Sequence, residues 1–364
     1  MSLPKTLQVL TDGITQGLHK GAQLYVSRAG EVMEDAAVGE ARPGQSMTTD
    51  TLMLWLSSTK PTTAVALAVL WERGELTWDD PIARFIPEFA EGGKERVTLR
   101  HALTHTGGFR VLDTGFPRLT WEETIARIAA SRIEPRWEPG EKAGYHLASS
   151  WFILGEVIQR ITGRAYSEFL RAEVFEPLGM LDSWVGMPLE RFQAYGPRIA
   201  AFYNTEHPDA PEHPWHHENH IVRPSPGGNG FGPIRELGKF YESLLAGFDG
   251  RRTILRPQTV EALVARHRTG LYDHTFRHVM DWGLGFIVNS SHYNEPTLPY
   301  AYGPHATRRT FGHSGYRSST AFADPEHRLV VAVATNGTPA DDQNRERLRQ
   351  VTTAVYEELG LARG

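Results

Sequence analysis

Apolar positions along the chain fall into three blocks. In the first, Leu7, Leu10, Ile14 and Leu18 recur at helical spacing, and Gly21 lies just past them, so the spacing predicts a helix over 5–18. Runs 23–27 and 32–38 read as strands, and Ala29-Gly30 between them reads as a hairpin turn. A short apolar run, 51–56, leads into SSTKPTTAVALAVLWERGEL. Residues 60–73 predict a helix, with Pro61 tolerated in its first turn and Gly74 ending it.

The middle block is mostly helix and loop. Helical periodicity marks 121–131 and 150–161, with Gly163 stopping the second, and two more helices are predicted over 235–246 and 257–266. The last block returns to strands at 283–288, 310–313, 316–323 and 328–335. Asp324-Pro325-Glu326-His327 turns between the final pair, and 345–359 closes as an amphipathic helix. A chain that begins and ends in the same kind of layer predicts one α/β sheet built from both termini, with a helical insertion. The expected division of the single unit 1–364 is a sheet lobe from 1–60 with 275–364, and a mostly helical lobe from 61–274. Segment 203–230, rich in His, Pro and Gly, reads as a long loop, and long loops in compact domains are often functional.

Composition narrows the function. Of 364 residues, 40% are hydrophobic and 22% charged, which excludes disorder as the dominant state. The 38 basic and 43 acidic residues leave a net charge of −5. No basic balance points to nucleic acid, and no polybasic run points to an anionic membrane. The chain has no cysteine, so disulfides, thiolate metal ligands and a cysteine nucleophile are excluded. The longest apolar run, 64–71, is too short to span a bilayer. The start, MSLPKTLQVLTDGITQGLHKG, has no continuous apolar stretch before a small-residue cleavage site. It reads as mature protein, and a cytoplasmic location is expected.

The first chemical signal is Ser57-Ser58-Thr59-Lys60. Ser and Lys at i and i+3 share one face of a helix. A serine hydroxyl is a poor nucleophile until a nearby base takes its proton, and a lysine in a partly desolvated cleft can have its pKa lowered to serve as that base. At a helix start the backbone N–H of Ser57 can also point at a developing oxyanion. Alone, the four-residue pattern also describes an ordinary solvated helix start with a serine cap.

The context adds weight. TLMLWLSSTKPTTAVALAVLWERGELTWDDPIARFIPEF is followed by VTLRHALTHTGGF, ending at Phe109. The apolar run into S-x-T-K-P, the helix ending in G-x-L, the D-D-P-I and P-E-F that follow and the L-T-H-T-x-G turn stand in consistent order. This stretch resembles the serine β-lactamase and penicillin-binding-protein superfamily, in the branch with class C β-lactamases and family VIII carboxylesterases. The resemblance implies a β-lactamase/transpeptidase-like fold, an antiparallel sheet flanked by helices with an inserted helical lobe and the active site between them.

The resemblance implies two further motifs. One is a tyrosine in Y-x-N after a W-x-P-G turn. Here Trp137-Glu138-Pro139-Gly140 leads to Tyr145-His146-Leu147, so Tyr145 fits and Leu147 replaces the family's Asn. In the family that Asn helps hold the substrate amide and the Lys, so its loss weakens the case for amide recognition. The other is the triad on the strand beside the nucleophile, K-T-G in β-lactamases and H-x-G in many esterase-like members. Phe311-Gly312-His313-Ser314-Gly315-Tyr316 supplies it. His313 is expected to face the cleft and orient substrate, and Gly315 to let substrate approach the strand backbone. The Tyr316 N–H is expected to be the second oxyanion donor, beside that of Ser57. An unperturbed histidine has a pKa of about 6.5 and is mostly neutral at pH 7, so a substrate carboxylate would be held less well than by lysine.

Three other features of the sequence allow competing readings. Gly312-His313-Ser314-Gly315-Tyr316 is one residue short of G-x-S-x-G, the nucleophile elbow, but a strand rather than a helix follows Ser314. His207, His213, His216, His217 and His220 could ligate a metal, yet Pro208, Pro211 and Pro214 interrupt the stretch, so a polar loop lining the cleft is expected. Trp55, Trp151, Trp215, Tyr203 and Phe231 read mainly as core, with those near the motifs as candidates for an apolar acyl site.

The expected reaction is acyl transfer through an acyl-enzyme on Ser57, with Lys60 and Tyr145 as a coupled proton relay. The resemblance implies no metal and no organic cofactor. The expected substrate is a small or medium acyl ester, so the activity is that of a carboxylesterase. The alternatives are an amide hydrolase of the β-lactamase or D-aminopeptidase type, an acyltransferase on the same scaffold, and a non-catalytic binding protein. Oligomeric state is left open.

Overall fold

The computed structural model describes residues 2–207, 209–294 and 297–362. Eight strands form one antiparallel sheet. They are β1 (Gly21–Arg28), β2 (Glu31–Arg42), β3 (Gln45–Ser46), β4 (Asp281–Trp282), β5 (Ile287–Val288), β6 (Phe311–Gly315), β7 (Ser319–Asp324) and β8 (Leu329–Thr335). Their order across the sheet is β3-β2-β1-β8-β7-β6-β5-β4. β1 pairs with β8, Ala22 opposite Thr335 and Arg28 opposite Leu329, so both chain ends share one sheet as predicted. Ala29 and Gly30 close the first hairpin with φ of +53° and +84°, the backbone a tight two-residue turn between twisted strands requires.

The longer helices are α1 (Pro4–Thr15), α2 (Lys60–Glu72), α3 (Trp121–Ala129), α4 (Ser149–Thr162), α5 (Ile234–Phe248), α6 (Pro257–Val264) and α7 (Asp341–Glu358). β8 explains how they cover the sheet. Its sequence LVVAVAT is apolar up to the final threonine because both faces are buried. Leu329, Val331 and Val333 pack with Leu10 of α1 and Leu348, Val351 and Val355 of α7. Val330, Ala332 and Ala334 turn the other way, into the cluster with Leu237, Phe240 and Leu244 of α5. The period of two that defines a strand thus sorts one run into two cores. Helix α5 lies in the middle of the sequence yet packs on the sheet, with Gly238 set so close to Tyr25 that a Cβ would fall 2.2 Å from its ring.

Helix α2 is buried on every side from Lys60 to Leu70, as expected of a helix apolar all round. It packs on α4 and places its N-terminus against the end of β6. Two predicted strands are shorter than expected. In 283–288 only Ile287–Val288 pairs, because Gly285 (φ +82°) turns the chain beside Ala64 of α2. The run 316–323 begins at Ser319, because Tyr316 to Ser318 form a turn in which Arg317 has φ +48°. Among the described residues no helix is long and apolar enough to cross a membrane.

Candidate active site

Ser57 sits in a 3₁₀ turn, Leu56–Thr59, that runs into α2. The residue before it, Leu56, has φ +49°, a left-handed conformation costing about 1–2 kcal/mol for a residue with a Cβ. Neighbouring strands over-determine that backbone. The Trp55 N–H donates to the Gly230 carbonyl (2.8 Å), and the Trp55 indole N–H to the Gly232 carbonyl (3.0 Å). Ser319 Oγ donates to the Trp55 carbonyl (2.7 Å), and Ser58 Oγ to the His313 carbonyl (3.2 Å). Ser57 itself stays partly exposed, while Lys60 and Tyr145 are buried.

The three side chains meet. Lys60 Nζ lies 3.0 Å from Ser57 Oγ, and the Tyr145 hydroxyl 2.9 Å from the same oxygen. Lys60 Nζ also donates to the carbonyls of Leu147 (3.0 Å) and Gly227 (2.6 Å). Burial alone pushes the Lys60 pKa well below its ordinary value. A neutral amine then has two N–H bonds for the two carbonyls and a lone pair facing the Ser57 hydroxyl. Burial moves Tyr145 the other way, so its phenol stays protonated, and the negative charge of Asp273 adds to that. Burial thus shifts the two groups of the pair in opposite directions, favouring the neutral form of each.

Asp273 positions Tyr145. It is fully buried, and its Oδ1 accepts the backbone N–H groups of Tyr145 (3.0 Å), Thr275 (2.9 Å) and Phe276 (2.9 Å). Its Oδ2 accepts from Arg268 Nη2 at 3.0 Å, a buried pair that satisfies both ions. Arg268 Nη1 donates in turn to the carbonyl of Thr104, next to His105. The His105 ring lies 4.6 Å from that of Tyr145, and its Nδ1 accepts the His146 N–H (3.0 Å). Aspartate, arginine and the two histidines therefore form the wall behind the phenol.

The strand side departs from expectation in two respects. His313 does not open onto a cleft: it is 1% exposed, packed between the rings of Tyr145 and Trp282. Burial holds its pKa down to about 3, so it is neutral. Its Nδ1 is 2.8 Å from the Ser314 carbonyl, which puts the proton there and leaves Nε2 as a buried acceptor with no partner among the described residues. Gly315 is required by packing of the protein on itself. A Cβ there would fall 2.3 Å from Ser319 Oγ and 2.5 Å from the Trp55 carbonyl, so its absence lets β6 close on the turn of Ser57. Tyr316 follows at the strand end, its side chain 51% exposed.

Ser314 is not placed as a nucleophile. It lies inside a strand, its hydroxyl 2.9 Å from Thr320 Oγ1, and it accepts the Ala301 N–H. Of the loop histidines, His216 and His217 come together with Glu212, one ligand atom from each within 4.8 Å. His216 Nδ1 accepts the Phe202 N–H (3.2 Å), so in the neutral ring Nε2 carries the proton and faces Glu212 Oε2 at 3.2 Å. That tautomer makes the ring a donor to Glu212 rather than a metal ligand. His213 lies 2.9 Å from Thr338 Oγ1, and His220 2.9 Å from Asn219 Oδ1. Two surface depressions, of about 560 and 760 Å³, are lined by other residues than those around Ser57.

Sequence reasoning missed the backbone carbonyls of Leu147 and Gly227, and the Arg268–Asp273 pair. Leu147 carries no side-chain amide, yet its main chain still holds Lys60, and its side chain is 70% exposed.

The fold and the match to known families define a serine hydrolase of the β-lactamase superfamily. The family model described as Beta-lactamase matches residues 8–354, and the chain belongs to that family. It is 29% identical over 357 residues to "Esterase EstB" of Burkholderia gladioli, covering 87% of this chain and 86% of that protein. Among solved structures it resembles a family VIII carboxylesterase at 27% identity, with a TM-score of 0.79 over 96% of each chain. It also resembles a penicillin-binding protein homologue from Caulobacter crescentus at 29% identity, with a TM-score of 0.78 over 98% of this chain and 97% of that one.

Proposed function

We propose that the chain is a carboxylesterase acting on small or medium acyl esters through a covalent acyl-enzyme. The observation that carries this is the three-way contact of Ser57 Oγ with Lys60 Nζ and the Tyr145 hydroxyl, with no carboxylate on the lysine. Neutral Lys60 takes the Ser57 proton as Oγ adds to the ester carbonyl. The backbone N–H groups of Ser57 and Tyr316 receive the oxyanion. Tyr145, a phenol throughout the neutral range, gives its proton to the departing alkoxide and regains one from Lys60. The carbon–oxygen bond of the ester breaks, and the acyl group remains on Ser57. Water enters by the same route in reverse and releases the acid. His313, a buried neutral ring against Tyr145, backs the phenol rather than meeting the substrate.

Ester rather than amide is supported by Leu147, which offers no side-chain amide to a substrate peptide group, and by the esterase relatives. The amide-hydrolase reading keeps one support, the penicillin-binding protein homologue of equal identity. An acyltransferase would use the same acyl-enzyme with an alcohol or amine in place of water. A cytoplasmic place of work belongs to the same proposal, since hydrolysis of small esters needs no access to a cell wall.

Intact-protein mass after brief exposure to a fluorophosphonate, and separately to p-nitrophenyl butyrate, tests the reading. A single adduct is expected in wild type and Ser314→Ala, and none in Ser57→Ala. An adduct that disappears only in Ser314→Ala would overturn it.

A further inference from the structure

Next to the site lies a pair of aromatic rings that the reaction above does not use. Tyr316 is half exposed at the end of β6, one residue beyond Gly315, where a Cβ would fall 2.5 Å from the Trp55 carbonyl and 3.1 Å from Leu56 Cβ. Trp215, from the 203–230 loop, meets the Tyr316 ring edge to face at 6.4 Å and packs in the same apolar cluster as Leu56, the neighbour of Ser57. Trp215 is only partly buried.

The pair is held too firmly to be an accident of a mobile loop. The His213 ring lies flat on Trp215, 4.1 Å away at 3°, and Phe202 backs it at 5.6 Å. His213 is itself pinned, its N–H donating to the Phe202 carbonyl (2.7 Å) and its Nε2 lying 2.9 Å from Thr338 Oγ1. On the other side, the Arg317 guanidinium covers the Tyr316 ring at 5.0 Å. Arg317 is clamped between Glu206 of the loop (2.5 Å) and Asp341 of α7 (2.6 Å), and Arg347 donates to its carbonyl (2.9 Å). Both carboxylates satisfy the guanidinium, so the charge beside the platform is already answered and an uncharged ring suits it.

We propose that Tyr316 and Trp215 form a preorganised aromatic platform that takes an aryl ring of the substrate, making aryl-bearing esters the preferred class. The inference rests on the esterase reading and deepens it. Exposed apolar surface fixed in place beside a nucleophile marks a binding surface. Rigid aromatic pairs also favour flat, unsaturated partners over saturated ones of the same volume, through edge and offset-stacked geometries.

The test uses matched esters that differ only in the ring. Methyl phenylacetate is compared with methyl cyclohexylacetate for the acyl side, and benzyl acetate with cyclohexylmethyl acetate for the alcohol side. Wild type is expected to prefer the aryl member of at least one pair about 3- to 10-fold in kcat/KM. Trp215→Leu, which keeps apolar bulk but removes the π face, is expected to erase that preference mainly through KM, the aryl ester losing more than the cyclohexyl one. Equal treatment of both pairs by wild type, with hydrolysis lost in Ser57→Ala, would overturn the platform and leave the esterase reading standing. A preference that survives in a folded Trp215→Leu would do the same. No Ser57-dependent hydrolysis of any of the four esters would overturn both.

Discussion

Among the described residues two lysines are cut off from water, and of these Lys60 alone contacts the serine proposed as the nucleophile. Lys94 Nζ gives all its protons to main-chain carbonyls, those of Glu91 (2.6 Å), Ala129 (3.0 Å) and Ser131. It lies near the surface, where the charges of Glu91 and Glu95 oppose the desolvation that lowers its pKa to about 8. It therefore remains an ammonium ion at neutral pH and ties a loop to the end of α3. Lys60 lies deeper, no carboxylate supports its charge, and its third partner is a hydroxyl rather than a carbonyl. Burial by itself does not make a lysine a base. A base needs the charged form to be unsupported and one position left facing a proton donor.

The comparison breaks if a permanent cation can replace Lys60. Lys60→Arg cannot release its proton, and turnover of p-nitrophenyl butyrate should fall about 10²- to 10⁴-fold in steady-state assays. Tyr145→Phe comes next, with a loss of about 10²-fold. That loss should be greater for ethyl than for p-nitrophenyl esters, because a good leaving group needs less help from an acid. Equal losses on both esters would remove Tyr145 from the acid role. Asp273→Asn keeps an acceptor for the Tyr145 N–H but leaves Arg268 unpaired. It should lower kcat about tenfold with a smaller change in KM. Lys94→Met sharpens the contrast from the other side. Turnover should stay within about twofold, while urea unfolding shows a loss of about 2–4 kcal/mol from three unpaired carbonyls. A large loss of turnover with stability unchanged would contradict the structural role given to Lys94.

Much of this arrangement is legible in local sequence. Ser57 and Lys60 lie one turn apart at a helix start, and Tyr145 follows the W-x-P-G turn that the family resemblance points to, so short motifs read through that resemblance carry them. The hairpin at Ala29-Gly30 and the helix over 60–73 are local in the same sense. What stayed hidden depends on tertiary contact. The carbonyls of Leu147 and Gly227 have no side-chain signature, so nothing in the sequence marks them as partners of Lys60. Asp273 reaches Tyr145 across 128 positions, and DHTF around it resembles an ordinary turn. His313 was expected to face a cleft because the H-x-G resemblance implies it; a motif does not say what packs over the ring, and here Tyr145 and Trp282 cover it. Gly315 was placed by sequence, yet its reason, contact with the Trp55 carbonyl, is visible only in three dimensions.

The central claim is that Ser57 is acylated by way of an uncharged Lys60. The most direct measurement is the rate of adduct formation by the fluorophosphonate, read by intact mass from pH 4 to 10. The Lys60 pKa is depressed in the folded protein, so the amine form predominates above that lowered value and is lost as pH falls through it. The account predicts that labelling rises with pH through one titration well below 10.4, then levels off, and is absent in Ser57→Ala and nearly so in Lys60→Arg. Labelling that keeps rising towards the ordinary lysine range, or that proceeds at the wild-type rate in Lys60→Arg, would contradict it.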